Sequence, residues 1–401
     1  MSELTPVAPR ERLVTLDVLR GFALAGVMIG NMILYSGQWA NLRSPDPTTL
    51  DAIADWFLTI FVRSKAQTLL TLLFGFGFAV QLLRAQERGE PVMGLYVRRL
   101  LVLFAFGALH VALLWWGDVM WGYAISGFGL LLFLRMSDRW RVAWAVGLIV
   151  VPHLVVIALP DARAAATGLF LEPSEFGVST ARMAVKIQTA GFAELPWEHL
   201  RYALVWSTNA FTWYFFWTLG RFLLGYVAGK RRWFDRDGAD HLPVFKRMAA
   251  WGGAIAALTI AVSLLNMTGV GLIAQGLWGR LVFGVVTETG LLAMTLAYVG
   301  VTVLLMQRRT WRRILGVLAP AGRMPLTTYF SQSLVCTFLF YDWGLGWAGS
   351  VGTADTLGLS VAIFSLQVAF AHLWLRSFRF GPLEWVWRSA VYMKRQPMRT
   401  L

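Results

Sequence analysis

A histidine and an aspartate with the spacing of an acid–base pair lie where two apolar stretches of the sequence meet. His110 is near the end of one stretch, and Asp118 follows it by eight residues, across a short Trp116-Gly117 connection. An imidazole exchanges protons near neutral pH, and a carboxylate can orient it, so the pair indicates general base catalysis. Two structural interpretations stay open. His110 could donate to a carbonyl of a neighbouring helix, and Asp118 could cap the N-terminus of the helix that follows it.

The first apolar stretch, residues 14–36, carries polar side chains that are costly in hydrocarbon unless they find partners. Arg20 and Asn31 are eleven residues apart, about three helical turns, so they share one face of a helix. An amide on this face can donate a hydrogen bond to an oxyanion, which makes Asn31 a third candidate catalytic residue. Arg20 has two interpretations, an ion pair with Asp17 and bidentate binding of a phosphate or carboxylate.

The composition places these residues in a membrane protein. The chain has 401 residues, of which 57% are hydrophobic and only 14% are charged, and it contains 20 Trp. Its net charge of +14 comes from short basic blocks between apolar stretches, which argues against nucleic-acid binding. Cys336 is the only cysteine, so the sequence excludes an intrachain disulfide and a cysteine-based metal site. We predict no bound metal.

Ten apolar stretches predict an all-α bundle of about ten membrane-spanning helices, in a single transmembrane domain over residues 1–401. They cover residues 14–36, 66–86, 98–116, 119–136, 140–160, 205–229, 247–267, 281–306, 323–341 and 357–376. The connections on one side are basic, which predicts that this side is cytoplasmic. The basic segments are residues 84–99, 135–141, 230–247, 308–323 and 376–399. An even number of spans then places both termini in the cytoplasm.

Three segments outside the spans carry structural predictions. The outer loop 37–65 contains an amphipathic stretch, Leu50 to Phe61, that is expected to lie at the membrane interface. The outer loop 161–204 is expected to form short surface helices or a lid over an outer cavity. Residues of about 382–393 are expected to form a helix on the inner surface.

This topology sorts the remaining intramembrane polar residues by depth. Lys65 and Glu288 fall near the outer side, Gln332 falls at middle depth, and we predict that all three bind substrate. Near the inner side, the candidates for binding an anionic cofactor are Arg20, Arg98, Arg99 and Arg323. A buried carboxylate needs a cationic partner, and the expected partners of Glu288 are Arg280 and Lys65. A structural ion pair and a functional acid are equally compatible with Glu288.

Several of these residues belong to motifs that resemble the YeiB-like membrane proteins, domain of unknown function 418. The similar segments are residues 16–23 with Asn31, 72–78, 98–110, 117–123, 322–333 and 380–385. They cover both ends of the chain in order, with a weaker match in the middle. One departure is Thr328, because the family pattern usually has Asn there. The resemblance implies a multi-pass protein of the bacterial cytoplasmic (inner) membrane.

The first span is also similar, more distantly, to transmembrane acyltransferases. Its Arg20-to-Asn31 spacing resembles the Arg-to-His spacing that opens a family of membrane sugar O-acyltransferases. Asn stands at the His position here, as in the heparan-alpha-glucosaminide N-acetyltransferase group. That group is thought to move acetyl from cytoplasmic acetyl-CoA to a sugar across the membrane, with a catalytic His in its first outer loop. No His lies between Asn31 and Lys65, so His110 is the available substitute.

The resemblance therefore implies a transmembrane acyltransferase that uses a cytoplasmic acyl-CoA and an acceptor on the outer face. Acyl-CoA phosphates are expected to bind the inner arginines named above. His110 is expected to deprotonate the acceptor, Asp118 to orient His110, and Asn31 to bind the oxyanion.

Two further functions remain open. A proton-coupled transporter or lipid-handling protein would use Glu288 and His110 as proton sites without covalent chemistry. A structural membrane protein would use its buried polar groups only to specify helix packing. The acyl donor, the acceptor and the choice between monomer and homodimer are not determined by the sequence. Besides the acyl donor and the acceptor, the partner that the sequence implies is the lipid bilayer.

Overall fold

The computed structural model of the protein describes residues 13–38, 46–87, 92–158, 185–267 and 276–399. In the first half the helices are α1 (Val14–Tyr35), α2 (Thr49–Phe57), α3 (Lys65–Glu87), α4 (Val92–Leu113), α5 (Met120–Leu130) and α6 (Asp138–Ala158). A π-helical turn, Leu58–Val62, extends α2, and a 3-10 turn, Leu131–Phe133, extends α5.

From Leu195 onward, the described chain contains eight more α-helices. They are α7 (Leu195–Lys230), α8 (Leu242–Met267), α9 (Gly276–Met306), α10 (Arg309–Gly316), α11 (Ala319–Arg323), α12 (Pro325–Phe340), α13 (Thr353–Ser377) and α14 (Pro382–Tyr392). A 3-10 segment, Asp235–His241, precedes α8. Apart from one isolated β-bridge between Phe378 and Arg399, the described residues form no β-structure. The predicted all-α class is confirmed.

Each of the ten predicted spans falls on one of these helices. By length and composition, six helical segments of the described residues can cross a membrane. They are Val14–Tyr35, Thr49–Glu87, Met93–Leu113, Asp235–Asn266, Gly276–Met306 and Thr353–Ser377. This supports a membrane protein, while the count of ten and the orientation of the termini stay predictions.

The bundle is organised around α3 and α7, whose backbones touch at glycines. A Cβ on Gly75 would lie 2.1 Å from the carbonyl oxygen of Phe222, and a Cβ on Gly225 would lie 2.0 Å from that of Leu72. Only glycine permits this approach, because any larger residue would push the helices apart. Within the Phe-Gly alternation of residues 74–78, Gly75 therefore serves close helix packing.

The segment before α3 forms the predicted amphipathic helix. Thr48 and Asp51 cap α2 reciprocally, and Asp51 Oδ1 also accepts from the backbone N–H of Ala354 at the start of α13. The apolar side of α2 is exposed at Leu50 and Ile53, as expected for an interfacial helix. Of the predicted loop 161–204, residues 161–184 lie outside the described residues, and α7 begins already at Leu195.

The predicted C-terminal surface helix is α14, and one carboxylate attaches it to the bundle. Glu384 accepts from the backbone N–H groups of Leu326 and Thr327 at 2.6 and 3.1 Å, and from the Thr327 hydroxyl at 2.6 Å. Burial raises the pKa of Glu384, and the bonds from Thr327 and Leu326 oppose that rise. The carboxylate thereby satisfies N–H groups in the first turn of α12 that have no partner within that helix.

Candidate functional site

A cavity of about 200 Å³ lies beneath the connection between α4 and α5. Its polar lining residues include Asn31 from α1, Gln67 from α3, Asp118, Tyr123 from α5 and Tyr214 from α7. Trp115 and Trp116 add aromatic surface. Of the predicted site residues, Asn31 and Asp118 therefore share one cavity, although 87 positions separate them in the sequence.

Asp118 reaches this position because α4 and α5 approach each other closely at Gly107. A Cβ on Gly107 would lie 2.5 Å from the backbone nitrogen of Trp121 and 2.8 Å from Asp118 Oδ1. Asp118 Oδ1 accepts from the N–H groups of Met120 and Trp121, at 2.8 and 3.1 Å. The interpretation of Asp118 as a cap of the following helix is thus correct, but it uses only one carboxylate oxygen.

The second carboxylate oxygen contacts His110. Asp118 Oδ2 lies 3.1 Å from His110 Nδ1, and both side chains are 0% exposed. The two atoms are close but lack the alignment of a hydrogen bond, a geometry that is common before substrate binds. The ring of His110 lies between those of Tyr329 and Phe330, with centroid distances of 4.9 and 4.8 Å. The predicted pairing of His110 with Asp118 is present.

The other nitrogen of His110 contacts a residue that sequence reasoning missed. His110 Nε2 lies 2.8 Å from Ser333 Oγ, and this hydroxyl lies 2.8 Å from the hydroxyl of Tyr35. His110 Nε2 therefore bonds a serine hydroxyl and not the helix carbonyl of the alternative interpretation. We refer to Asp118, His110, Ser333 and Tyr35 as the relay cluster. The sequence signals for Ser333 were its place in a polar Gln332-Ser333 pair inside an apolar stretch and its place in the family-like segment 322–333.

In the relay cluster, the carboxylate, the imidazole and the serine hydroxyl are arranged as in sites that activate a hydroxyl. A carboxylate contacts one imidazole nitrogen, and a serine hydroxyl contacts the other, so His110 can accept the Ser333 proton while Asp118 stabilises the resulting charge. Four helical regions supply these groups: α4, the start of α5, α12 and α1. Such an arrangement is recognised by geometry and roles rather than by chain order.

The predicted substrate-binding residues lie away from this cavity lining. Lys65 Nζ donates to the carbonyl oxygen of Thr59, a residue of the π-helical turn, at 2.7 Å. Gln332 donates to the carbonyl oxygen of Leu24 and to Gln367 Oε1, both at 3.3 Å. It therefore joins α12 to α1 and α13. The roles of these residues in substrate binding stay predictions.

Glu288 has a different partner from the two that were expected. Arg221 Nη2 donates to Glu288 Oε2 at 2.8 Å, so the expected partners Arg280 and Lys65 were wrong. Trp217 Nε1 lies 3.3 Å from both carboxylate oxygens, and the Arg221 guanidinium lies 3.3 Å from the centre of the Trp217 ring. Arg221 is 0% exposed and Glu288 12%. We refer to Arg221, Glu288 and Trp217 as the ion-pair cluster.

The four inner arginines predicted to bind a cofactor have separate surroundings. Arg20 pairs with Asp17 at 2.9 Å. Arg98 donates to the carbonyl oxygen of Val391, and the Arg99 guanidinium lies 4.4 Å from the centre of the Trp387 ring, so both contact α14. Arg323 ends α11 and is half-buried. The structure therefore brings Arg98 and Arg99 together at one helix and gives Arg20 the partner that its alternative interpretation named.

Comparison with known proteins gives full-length relatives. A family model described as "Protein of unknown function (DUF418)" matches residues 228–394, which include Ser333 but not His110. "Uncharacterized protein YxaH" of Bacillus subtilis (strain 168) is 32% identical, over 99% of this chain and 98% of its own. An "Uncharacterized 39.9 kDa protein in amylase 3'region" of Bacillus acidopullulyticus is 30% identical, over 98% of each chain. "Uncharacterized protein YeiB" of Escherichia coli (strain K12) is 25% identical, over 94% and 96%.

Proposed function

We propose, from the premise that the chain belongs to the YeiB-like DUF418 family, that it is a membrane acyltransferase whose reacting group is Ser333. The observation that carries this proposal is the contact order Asp118, His110, Ser333, in which Asp118 lines a cavity and the other two residues are buried behind it. Because both nitrogens of His110 are engaged in this chain, the group that it deprotonates first is Ser333 rather than an external acceptor.

The membrane placement is part of the proposal. We place about ten spans in the bacterial cytoplasmic membrane, with both termini in the cytoplasm. The apolar helices and the one-sided basic connections support this placement. The α4–α5 connection, Asp118 and the cavity then lie toward the outer face. The acceptor enters from that side, and the acyl donor comes from the cytoplasm.

The chemistry has two steps. In the first, Ser333 Oγ forms a bond to the thioester carbonyl carbon of acyl-CoA as its proton passes to His110 Nε2. The C–S bond breaks, and the thiolate leaves with that proton. In the second, an acceptor hydroxyl forms the new ester, His110 takes its proton, and Ser333 leaves with the proton from His110. Asp118 stabilises the charged imidazole, and Asn31 donates to the oxyanion in both steps.

The donor phosphates are assigned to the inner arginines Arg20, Arg98, Arg99 and Arg323, since arginine suits phosphate. Arg98 and Arg99 form the pair to test first because they are adjacent and both contact α14. Saturable binding of acetyl-CoA that is lost in the Arg98→Gln/Arg99→Gln variant supports this assignment. Unchanged binding in that variant contradicts it.

The test of the function uses the purified full-length protein in nanodiscs with acetyl-CoA. Thiol release measures the first step, and mass spectrometry of the intact chain detects an acetyl group on Ser333. Ser333→Ala should abolish both signals. Ser331→Ala is the matched control, because Ser331 is on the same helix but bonds Gln367 and Thr328. Thiol release that survives in Ser333→Ala contradicts the serine step. If thiol release also survives in His110→Ala, the proposed acyltransferase function is contradicted.

A second function is favoured by the continuation of the relay cluster to Tyr35. A line of exchangeable groups from Asp118 to the Tyr35 hydroxyl can conduct a proton without covalent chemistry. Proteoliposomes with an internal pH dye separate the two functions. Proton movement under an imposed potential, lost in His110→Ala and unaccompanied by thiol release from acetyl-CoA, would favour a proton-coupled transporter.

A further inference from the structure

An open groove of about 570 Å³ runs between α13 and the turn after α10. Its lining is largely apolar and includes Val317, Leu318, Phe364, Val368, Ala369 and Leu373. His372 also lines it, and its Nε2 lies 3.0 Å from the carbonyl oxygen of Val317, which ties the two walls together. The groove is large enough for part of a hydrocarbon chain.

The helix that leads into this groove is basic and exposed. α10 has no buried residue. Arg309, Arg313 and Val317 follow one another at intervals of four, so the two arginines lie on the same side as a groove-lining residue. The opposite side of α10 exposes Trp311 and Ile314. A short helix of this kind lies in the membrane interface, with its apolar side toward the acyl chains.

A further arginine, Arg376, follows the groove-lining residues of α13. On α13, Val368, His372 and Arg376 are also spaced by four residues, and the first two line the groove. Arg376 is therefore one turn beyond the lining, on the same face. Arg313 precedes Val317 by four residues and Arg376 follows His372 by four, so each arginine is one turn from the contact that joins the two sides of the groove.

We propose that this groove binds one anionic phospholipid of the cytoplasmic leaflet. An acyl chain lies along α13, and the lipid phosphate binds Arg313 and Arg376. The charge of the rim selects an anionic headgroup, and the apolar lining requires a chain attached to it. Basic pockets between helices on the cytoplasmic side suit such lipids. The site is separate from the relay cluster and does not depend on acyl transfer.

Native mass spectrometry of the full-length protein tests the site. The protein is exchanged into detergent with equal amounts of phosphatidylglycerol and phosphatidylcholine that carry the same chains. We expect retention of one phosphatidylglycerol. Arg313→Gln should reduce the preference for phosphatidylglycerol about fivefold, since one arginine near anionic lipid contributes roughly that factor. Ala369→Trp fills the groove from an exposed position and should remove the bound lipid.

Arg135→Gln/Arg139→Gln is the control, because both arginines are exposed in another predicted cytoplasmic connection. An equal loss of preference in this control would reduce the effect to general charge and overturn the site. Equal retention of the two lipids by the unchanged protein also overturns it. If glycerol phosphate competes as strongly as phosphatidylglycerol, the lipid acyl chain contributes nothing to binding, and this result overturns the site as well. If a second copy of the chain covers the groove instead, the protein is a dimer, and Ala369→Trp dissociates it without loss of lipid; this result also overturns the lipid site. Helix content by circular dichroism confirms that each variant folds.

Discussion

The relay cluster and the ion-pair cluster are both buried between helices, but they differ in charge and in their relation to the cavity. Asp118 of the relay cluster lines the cavity, whereas Arg221, Glu288 and Trp217 are not among its lining residues. The ion-pair cluster matches one cation to one anion and adds an aromatic ring. The relay cluster instead joins an acid to an imidazole and two hydroxyls, whose protons can move.

Under the proposed function, this difference makes the ion-pair cluster a packing device and the relay cluster the reactive site. A fully matched ion pair holds two helices, here α7 and α9, and a change of protonation would break it. A chain of exchangeable groups beside a cavity can change protonation without losing its contacts. Two tyrosine side chains, Tyr123 and Tyr214, lie between the relay cluster and the ion-pair cluster, and we refer to them as the wall. Tyr123 and Tyr214 line the cavity, and their rings contact Phe222 and Trp217 on the side of the ion pair.

The largest expected effect is on the relay cluster. His110→Ala removes the base and should reduce acyl transfer by about 10⁴-fold, while the protein remains inserted and folded. Steady-state thiol release from acetyl-CoA measures the loss. His153→Ala is a matched control, because His153 is a half-buried histidine of α6 outside the cluster. Comparable activity of the two variants would remove the distinction between the clusters.

The next effect concerns the stability provided by the ion-pair cluster. Arg221→Met leaves the Glu288 carboxylate without its cation and should destabilise the protein by about 3–5 kcal/mol. Urea denaturation in detergent measures this change. Arg221→Met with Glu288→Leu should recover most of the loss, because an apolar pair can replace a buried ion pair. Folded Arg221→Met should keep its specific activity within a few-fold, and a large loss there would assign catalysis to this cluster too.

A smaller effect is expected at the cavity lining contributed by α1. Asn31→Ala removes the proposed oxyanion donor and should lower the rate of transfer about 10²-fold to 10³-fold, with little change in stability. The reaction rate and the KM for acetyl-CoA are measured together. A changed KM with an unchanged rate would make Asn31 a ground-state binding residue instead.

The smallest effect tests the wall between the clusters. Thr71 Oγ1 lies 2.8 Å from the Tyr123 hydroxyl, and Thr71→Val removes that hydrogen bond. We expect a loss of about 1 kcal/mol in the free energy of unfolding. Acyl-transfer activity should change by no more than a few-fold, because the Thr71 hydroxyl positions Tyr123 and takes no part in acyl transfer. A loss of activity near that of His110→Ala would place Tyr123 in the reaction.

The sequence predicted the helices well and their ends less well. Long apolar stretches locate membrane helices because the bilayer sets their length. α7 nevertheless begins at Leu195, ten residues before the predicted start at 205. The added turns carry Glu198, which is buried and paired with Lys186. A charged residue with a tertiary partner can stay in a helix, and hydropathy does not detect the partner.

The same limit explains the prediction for Glu288. A cost for an unpaired carboxylate follows from the sequence, so a cationic partner was correctly expected. The identity of that partner depends on which helices pack together. Arg221 precedes Glu288 by 67 residues and meets it only because α7 lies against α9. Arg280 is on the same helix as Glu288, yet it is not the partner.

The sequence alone determined the contacts that are short-range. His110 and Asp118 are connected by so few residues that a tight turn brings them together, and the following helix draws Asp118 to its free N–H groups. Only the tertiary structure decided what lies on the other side of His110. Ser333 is 223 residues away from His110, and Tyr35 is 298 residues away from Ser333. Such contacts arise from the packing of α4, α12 and α1, which no local pattern of residues specifies.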